Sequence, residues 1–171
     1  MADLYLGIDP GVDLAHVLMN AGGAVLDYGV MKFPAALGAQ RCPEVSLRAH
    51  LLILQSMTDR SEGGIIHVAV EIETTAAPYA RVKTEREKKA RMKALATHNR
   101  IVGAALAGAS IERVSKVYES KANNVRKTHR ALLARAGGFV PKGIAASRRH
   151  HVTDAWLIAE ILRQELEGSR R

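Results

Sequence analysis

A chain of 171 residues with 47% apolar content has the size and material for one hydrophobic core, so a single domain over 1–171 is expected, with 166–171 as a frayed basic tail. A formal charge of +8 and a pI of about 9.9 make nucleic acid or an anionic membrane the candidate partners. No run approaches the ~18 apolar residues of a spanning helix, the opening MADLYLGIDPG lacks the build of a signal peptide, and the lone Cys42 excludes an internal disulfide or zinc cluster, so a soluble, cytoplasmic protein is expected.

In chain order, Leu4 to Asp9 is a short apolar run halted by Asp-Pro-Gly, as in a buried strand stopped by a turn. Leu14 to Met19 and Ala24 to Lys32 flank Asn20-Ala21-Gly22-Gly23, which predicts an antiparallel meander with a tight hairpin. From Ser46 to Asp59, Leu47, Leu51, Leu54 and Met57 recur at helical spacing behind a capping Ser46. The run Ile65 to Val70 is apolar except for His67, the pattern of a strand covered on both faces, and ends at Glu71. Residues 80–109 read as helix with a charged first half and an Ala/Gly-rich second half. Ile111 to Tyr118 suggests a fifth strand, Lys127 to Ala136 a helix closed by Gly137-Gly138, and Thr153 to Glu165 a final helix burying Trp156, Leu157, Ile161 and Leu162. The order describes an α/β fold, a mixed sheet with helices on its faces.

The positive charge is uneven. Between Arg81 and Arg100 eight Lys/Arg, among them Arg81, Lys83, Arg86, Lys88 and Lys89, face only Glu85 and Glu87. A second basic stretch runs from Arg113 through Lys116, Lys121, Arg126, Lys127 and Arg130 to Arg135. Either run alone is a solvated helix face; two of one sign, separated by an apolar helix, suit a phosphate-tracking surface. With aromatics at 4%, base-stacking platforms for single strands are poorly supplied, and backbone contact with duplex-like structure fits better.

Three carboxylates sit where apolar elements end or begin: Asp9 after LYLGI, Glu71 after IIHVAV and Asp154 at the start of the last helix. Taken singly they suit a turn, a solvated strand end and a helix cap. Together in apolar context they need a cation or a hydrogen-bonding partner, and two divalent metals would satisfy all three. His151, three residues before Asp154, shares its face if the helix has begun by then.

The combination of GIDPG at 7–11, VAVE at 68–71 and HHVTDAWLIA at 150–159 resembles the RuvC family of Holliday junction resolvases, within the RNase H-like superfamily. The resemblance covers nearly the whole chain. It implies a five-stranded mixed sheet, antiparallel in its first three strands, flanked by helices. It makes Asp9, Glu71 and Asp154 ligands of two Mg²⁺ or Mn²⁺ ions, with His151 as a further ligand or water-orienting group. Lys121 and Lys127 look similar to the family's basic positions near the scissile phosphate, with a shorter loop between them. The family's aromatic wedge is replaced by Ile72, Glu73, Thr74 and Thr75, with Tyr79 as a substitute; Glu73 shares a strand face with Glu71 and is kept as an outer-shell group.

The activity implied is paired, symmetric nicking of four-way DNA junctions, leaving 5′-phosphate ends. Symmetric cutting implies a homodimer, for which the Ala/Gly-rich stretch from Ile101 to Ala107 is the candidate interface; a helicase partner is conceivable and unidentified. A nuclease acting on RNA or flap substrates, and a junction-binding module without catalysis, remain the alternatives. An ATPase of the Hsp70 or sugar-kinase type fits less well, because the glycine-rich nucleotide loops are missing.

Overall fold

The computed structural model describes residues 3–10, 14–31, 52, 55–56, 64–71, 84–87, 114 and 118–169. Five strands form one sheet: β1 (Leu4–Asp9), β2 (Leu14–Asn20), β3 (Val25–Met31), β4 (Ile66–Val70) and β5 (Tyr118–Glu119), in the order β3-β2-β1-β4-β5. The β1–β2 and β2–β3 pairs are antiparallel, whereas β4 runs parallel to both β1 and β5. This is the five-stranded mixed α/β sheet expected from the sequence. Of the predicted Ile111–Tyr118 strand, Tyr118 opens β5 and Val114 makes an isolated parallel bridge to Ile66, and the remaining residues lie outside the described ones.

The hairpin between β2 and β3 closes as its sequence suggests. Gly23 adopts φ 84°, a conformation that costs a residue with Cβ dearly, and Asn20 anchors both ends by accepting from the Gly23 and Ala24 amides. β1 is buried along its whole length because it pairs on both edges and is covered by a helix.

Two helices follow the sheet, α1 (Lys127–Ala136) and α2 (Arg149–Gly168). α1 ends in a Schellman cap: the Phe139 amide donates to the Ala134 carbonyl, that of Gly138 to Arg135, and Gly138 takes φ 77°. The predicted Lys127–Ala136 helix and its Gly-Gly closure are both present. α2 is longer than the predicted Thr153–Glu165 at both ends. Its first turn at Arg149 continues from a 3-10 turn over Ala146–Arg148. At its other end it runs to Gly168, where Leu166 packs against the core and the Tyr5 hydroxyl donates to Glu167.

α2 lies directly on β1. A Cβ added to Gly7 would stand 2.1 Å from the Ala155 carbonyl oxygen and 2.5 Å from the Ala159 nitrogen, so only glycine permits this approach. Around that contact Tyr5, Val17, Ala69, Val152, Ala155, Ile158 and Leu162 make the core. Each large apolar side chain buried there contributes about 1.5–3 kcal/mol. Phe139 stacks on Trp156 with ring centroids 6.0 Å apart and meets Tyr28 edge-on, which fixes the end of α1 against α2 and β3. The predicted helices at Ser46–Asp59 and 80–109 fall mostly outside the described residues; 52, 55–56 and 85–87 within them are helical.

Candidate functional site

Side chains on a strand alternate between faces, so Tyr5, Gly7 and Asp9 of β1 leave the sheet on one side. The parallel register Ile8↔Val70 places Glu71 one step beyond the last pair, beside Asp9, and the Glu71 amide donates to the Ile8 carbonyl at 3.1 Å. Asp9 and Glu71 therefore share the face covered by α2. The missing side chain of Gly7 brings the helix down on them, and α2 presents His151 and Asp154 from its first two turns. Asp154 is the sixth residue of the helix rather than lying at its start, a correction that follows from the earlier start at Arg149. His151 and Asp154 thus fall at i and i+3 of formed helix.

All three carboxylates are buried: Asp9 is 8% exposed, Glu71 5% and Asp154 6%. Charges so placed demand partners, and His151 and Arg130 are among those the described residues supply. The His151 ring Nδ1 lies 2.8 Å from Asp9 Oδ2. Arg130, from α1, reaches between Glu71 and Asp154. Its Nη2 donates to Glu71 Oε1 at 3.0 Å, its Nη1 to Oε2 at 3.2 Å, and the same Nη1 lies 3.3 Å from Asp154 Oδ2. Burial works against the Arg130 charge, but the hydrogen bond to Glu71 and the charges of Glu71, Asp154 and Asp9 outweigh it, holding the guanidinium above its already high ordinary pKa.

Arg130 was expected on the phosphate-tracking surface. It is instead 2% exposed and fully enclosed by these partners, because α1 turns this side chain inward with Ala134 while Leu132 and Leu133 stay exposed. The sequence hides this arrangement: a Leu-Leu pair normally marks the buried stripe of a helix. The one available signal is Ala134 four residues after Arg130, a small residue that leaves room for a long neighbour on the same face.

Lys121 is not brought to the carboxylates. It begins a 3-10 turn over Lys121–Asn124 capped by the Ser120 hydroxyl, and its ammonium meets Glu165 at 2.7 Å, eleven residues beyond Asp154 on α2. That is about 16 Å along the helix at its usual rise. Arg86 and Arg126 are exposed, as a surface role requires. Lys127 opens α1. Arg81, Lys83, Lys88 and Lys89 lie outside the described residues, as do Cys42, Glu73, Tyr79 and the Ile101–Ala107 stretch. His67 stacks on Tyr5 and bonds Asp3 at 3.0 Å, a packing role.

The oxygen donors of Asp9, Glu71 and Asp154 are of the hard type that Mg²⁺ and Mn²⁺ prefer. As they stand, however, the side chains do not fit two such ions. Both Glu71 oxygens and one of Asp154 already meet the Arg130 guanidinium, and among the described residues no three His, Cys, Asp or Glu side chains converge as a metal shell. Among the described residues, too, no helix is long and apolar enough to cross a membrane.

No protein-family model and no curated protein matches the chain. Among solved structures it aligns with T. thermophilus RuvC in complex with a Holliday junction substrate, over 98% of this chain and 95% of that one, with a TM-score of 0.49 and 18% identity.

Proposed function

We propose that the protein is a divalent-metal-dependent nuclease that cuts branched DNA, with Asp9, His151, Glu71 and Asp154 as its acidic centre. The observation that carries this is the meeting of three buried carboxylates, drawn from β1, the residue after β4 and α2, at one end of the sheet in a chain of formal charge +8. Evolutionarily idle carboxylates are expensive to bury; carboxylates that gather beside a basic surface suit phosphodiester chemistry. Mg²⁺ or Mn²⁺, when bound, would supply an activated water and charge neutralisation at the phosphate. Asp9 holds the His151 ring in a fixed orientation, which suits that histidine to direct a water or its proton. Arg86 and Arg126 are exposed cations available to phosphates.

The preference for four-way junctions, the paired nicks and the homodimer rest on the three sequence motifs that resemble the RuvC family. A second reading has its own observation: Arg130 neutralises Glu71 and contacts Asp154, an arrangement equally suited to a junction-binding module without catalysis.

The test is incubation of a mobile four-way junction with Mg²⁺, beside linear duplex of the same sequence, RNA duplex and flap substrates, with Asp9→Asn and a chelator as controls. Paired nicks in the junction, lost with Asp9→Asn and on chelation, are the expected result. Metal-dependent cutting of only the RNA or flap substrates would keep the nuclease and discard the junction. Tight junction binding without cutting would establish the binding module.

A further inference from the structure

Between Ser120 and Thr153 the chain carries eight Lys/Arg and no Asp or Glu. Two of these cations are already committed. Lys121 meets Glu165, and Arg130 lies inside the acidic centre, where it also donates to the Val125 and Ala122 carbonyls at 3.2 and 3.0 Å. We propose that two others, Lys142 and Arg149 on the connection from α1 into α2, form a phosphate-binding ledge that holds the backbone of a DNA strand on the β3 side of the acidic centre. This inference rests on the branched-DNA reading above and adds the contacts on that flank.

Three observations point the same way. First, the ledge is held in place. The Tyr28 hydroxyl accepts from the Lys142 amide at 3.0 Å and donates to the Lys142 carbonyl at 3.2 Å, Pro141 beside it is buried, and Arg149 Nε donates to the Ile144 carbonyl at 3.0 Å. The connection is thus tied to β3 at one end and to the first turn of α2 at the other, so little ordering is left to do on binding. Second, it stands beside the centre. Gly7, Val17 and Tyr28 are in cross-strand register, so Tyr28 shares the sheet face from which Asp9 emerges. Arg149 precedes His151 by two residues, and the His150 ring between them lies 3.9 Å from that of His151, whose Nδ1 meets Asp9. The exposed Arg126 follows the turn after β5, which the Ser120 amide ties to the Val70 carbonyl of β4. In the order β3-β2-β1-β4-β5, cations therefore attach on both flanks of the β1–β4 pair that delivers Asp9 and Glu71. Third, the charge lacks a local counterpart. Lys142 and Arg149 are exposed, and among the described residues no carboxylate meets either. The first turn of α2 has no acidic residue, and a cation there opposes the helix dipole. The Arg149 charge therefore does not stabilise α2, whereas it suits an anion arriving from outside, and the phosphates of a strand crossing the centre are such anions.

Fluorescence anisotropy of a labelled four-way junction and a linear duplex, titrated with protein in chelator at several salt concentrations, measures binding apart from metal and cutting. Each phosphate contact contributes about 0.9 to the slope of log affinity against log salt. Lys142→Ala and Arg149→Gln are each expected to lower that slope by about this amount and affinity by about three- to tenfold, and the double substitution to lower the slope by about twice as much. Arg149→Lys keeps the charge and is expected to recover most of the slope. Lys142→Ala leaves the backbone bonds to Tyr28 in place, so its Tm should stay within about 2 °C of the parent. Lys121→Ala removes the same charge beside Glu165 and serves as the reference, with its slope expected to match the parent. Slopes unchanged in the Lys142 and Arg149 variants, or lowered equally by Lys121→Ala, would overturn the ledge while leaving the nuclease reading intact. A loss in Arg149→Gln that Arg149→Lys fails to restore would overturn the phosphate role of Arg149. A parent that binds neither junction nor duplex would overturn the branched-DNA reading itself, and this inference with it.

Discussion

Two ion pairs in this molecule look alike on paper and differ in nearly everything that matters. Lys121 meets Glu165 at 2.7 Å and Arg130 meets Glu71 at 3.0 Å, so the shorter contact is the lysine's. Yet the lysine pair is 64% and 43% exposed, and the arginine pair 2% and 7%. In the first, water competes for both charges and screens them, and two long side chains lose rotamer freedom to stay together. In the second, there is no water to fall back on. The planar fork of Arg130 binds Glu71 through two parallel N–H donors and reaches two backbone carbonyls besides. Separation alone therefore misjudges the pairs; burial and the number of satisfied donors rank them.

Five substitutions sharpen or break that ranking. Arg130→Met removes the buried charge and strands Glu71 and Asp154, and is expected to cost about 3–5 kcal/mol in urea unfolding. Adding Glu71→Leu should recover a substantial part of that loss, since an apolar pair in the same space leaves no orphaned charge there. If the double substitution is no more stable than Arg130→Met, the pair is not the unit described here. Gly7→Ala is next: its methyl group would overlap the Ala155 carbonyl, so about 1–3 kcal/mol should be lost. It should also lift α2 from β1, separating Asp9 from Asp154, so cleavage should fall further than the stability change explains. A Gly7→Ala protein with parental cleavage would show that the centre does not depend on this close approach.

Ser120→Ala removes the cap of the turn that seats Arg130, and an unfolding cost of about 1 kcal/mol is expected. The smallest effect belongs to Lys121→Ala, at under about 1 kcal/mol and shrinking further in high salt. Its cleavage rate should stay within roughly threefold of the parent, because Lys121 serves Glu165 and not the carboxylates. A hundredfold loss of rate at unchanged stability would return Lys121 to the scissile phosphate.

Much of this centre was legible before any coordinates. Asp9 and Glu71 each end an apolar run, and two strands that enter a sheet in parallel register deliver their last residues to the same place. Gly7 and the small Ala155 and Ala159 announce a close approach only once they are known to face each other. Arg130 was not legible. Its neighbours Leu132 and Leu133 advertise the opposite face of α1, and nothing local says that a guanidinium will be turned inward toward a strand end 59 residues earlier. Nor does sequence separate Lys121 from Arg130 as partners of an acidic site, since both lie in one basic stretch.

Local pattern thus determined the strands, the Gly-Gly closure of α1, the mixed α/β class and the positions of the three carboxylates, because alternation, apolar runs and turn residues act over a few neighbours. Tertiary structure alone decided how the buried charges are paid off: which cation reaches which carboxylate depends on the packing of α1, α2 and the capped turn around one sheet edge, a long-range geometry that no local period encodes.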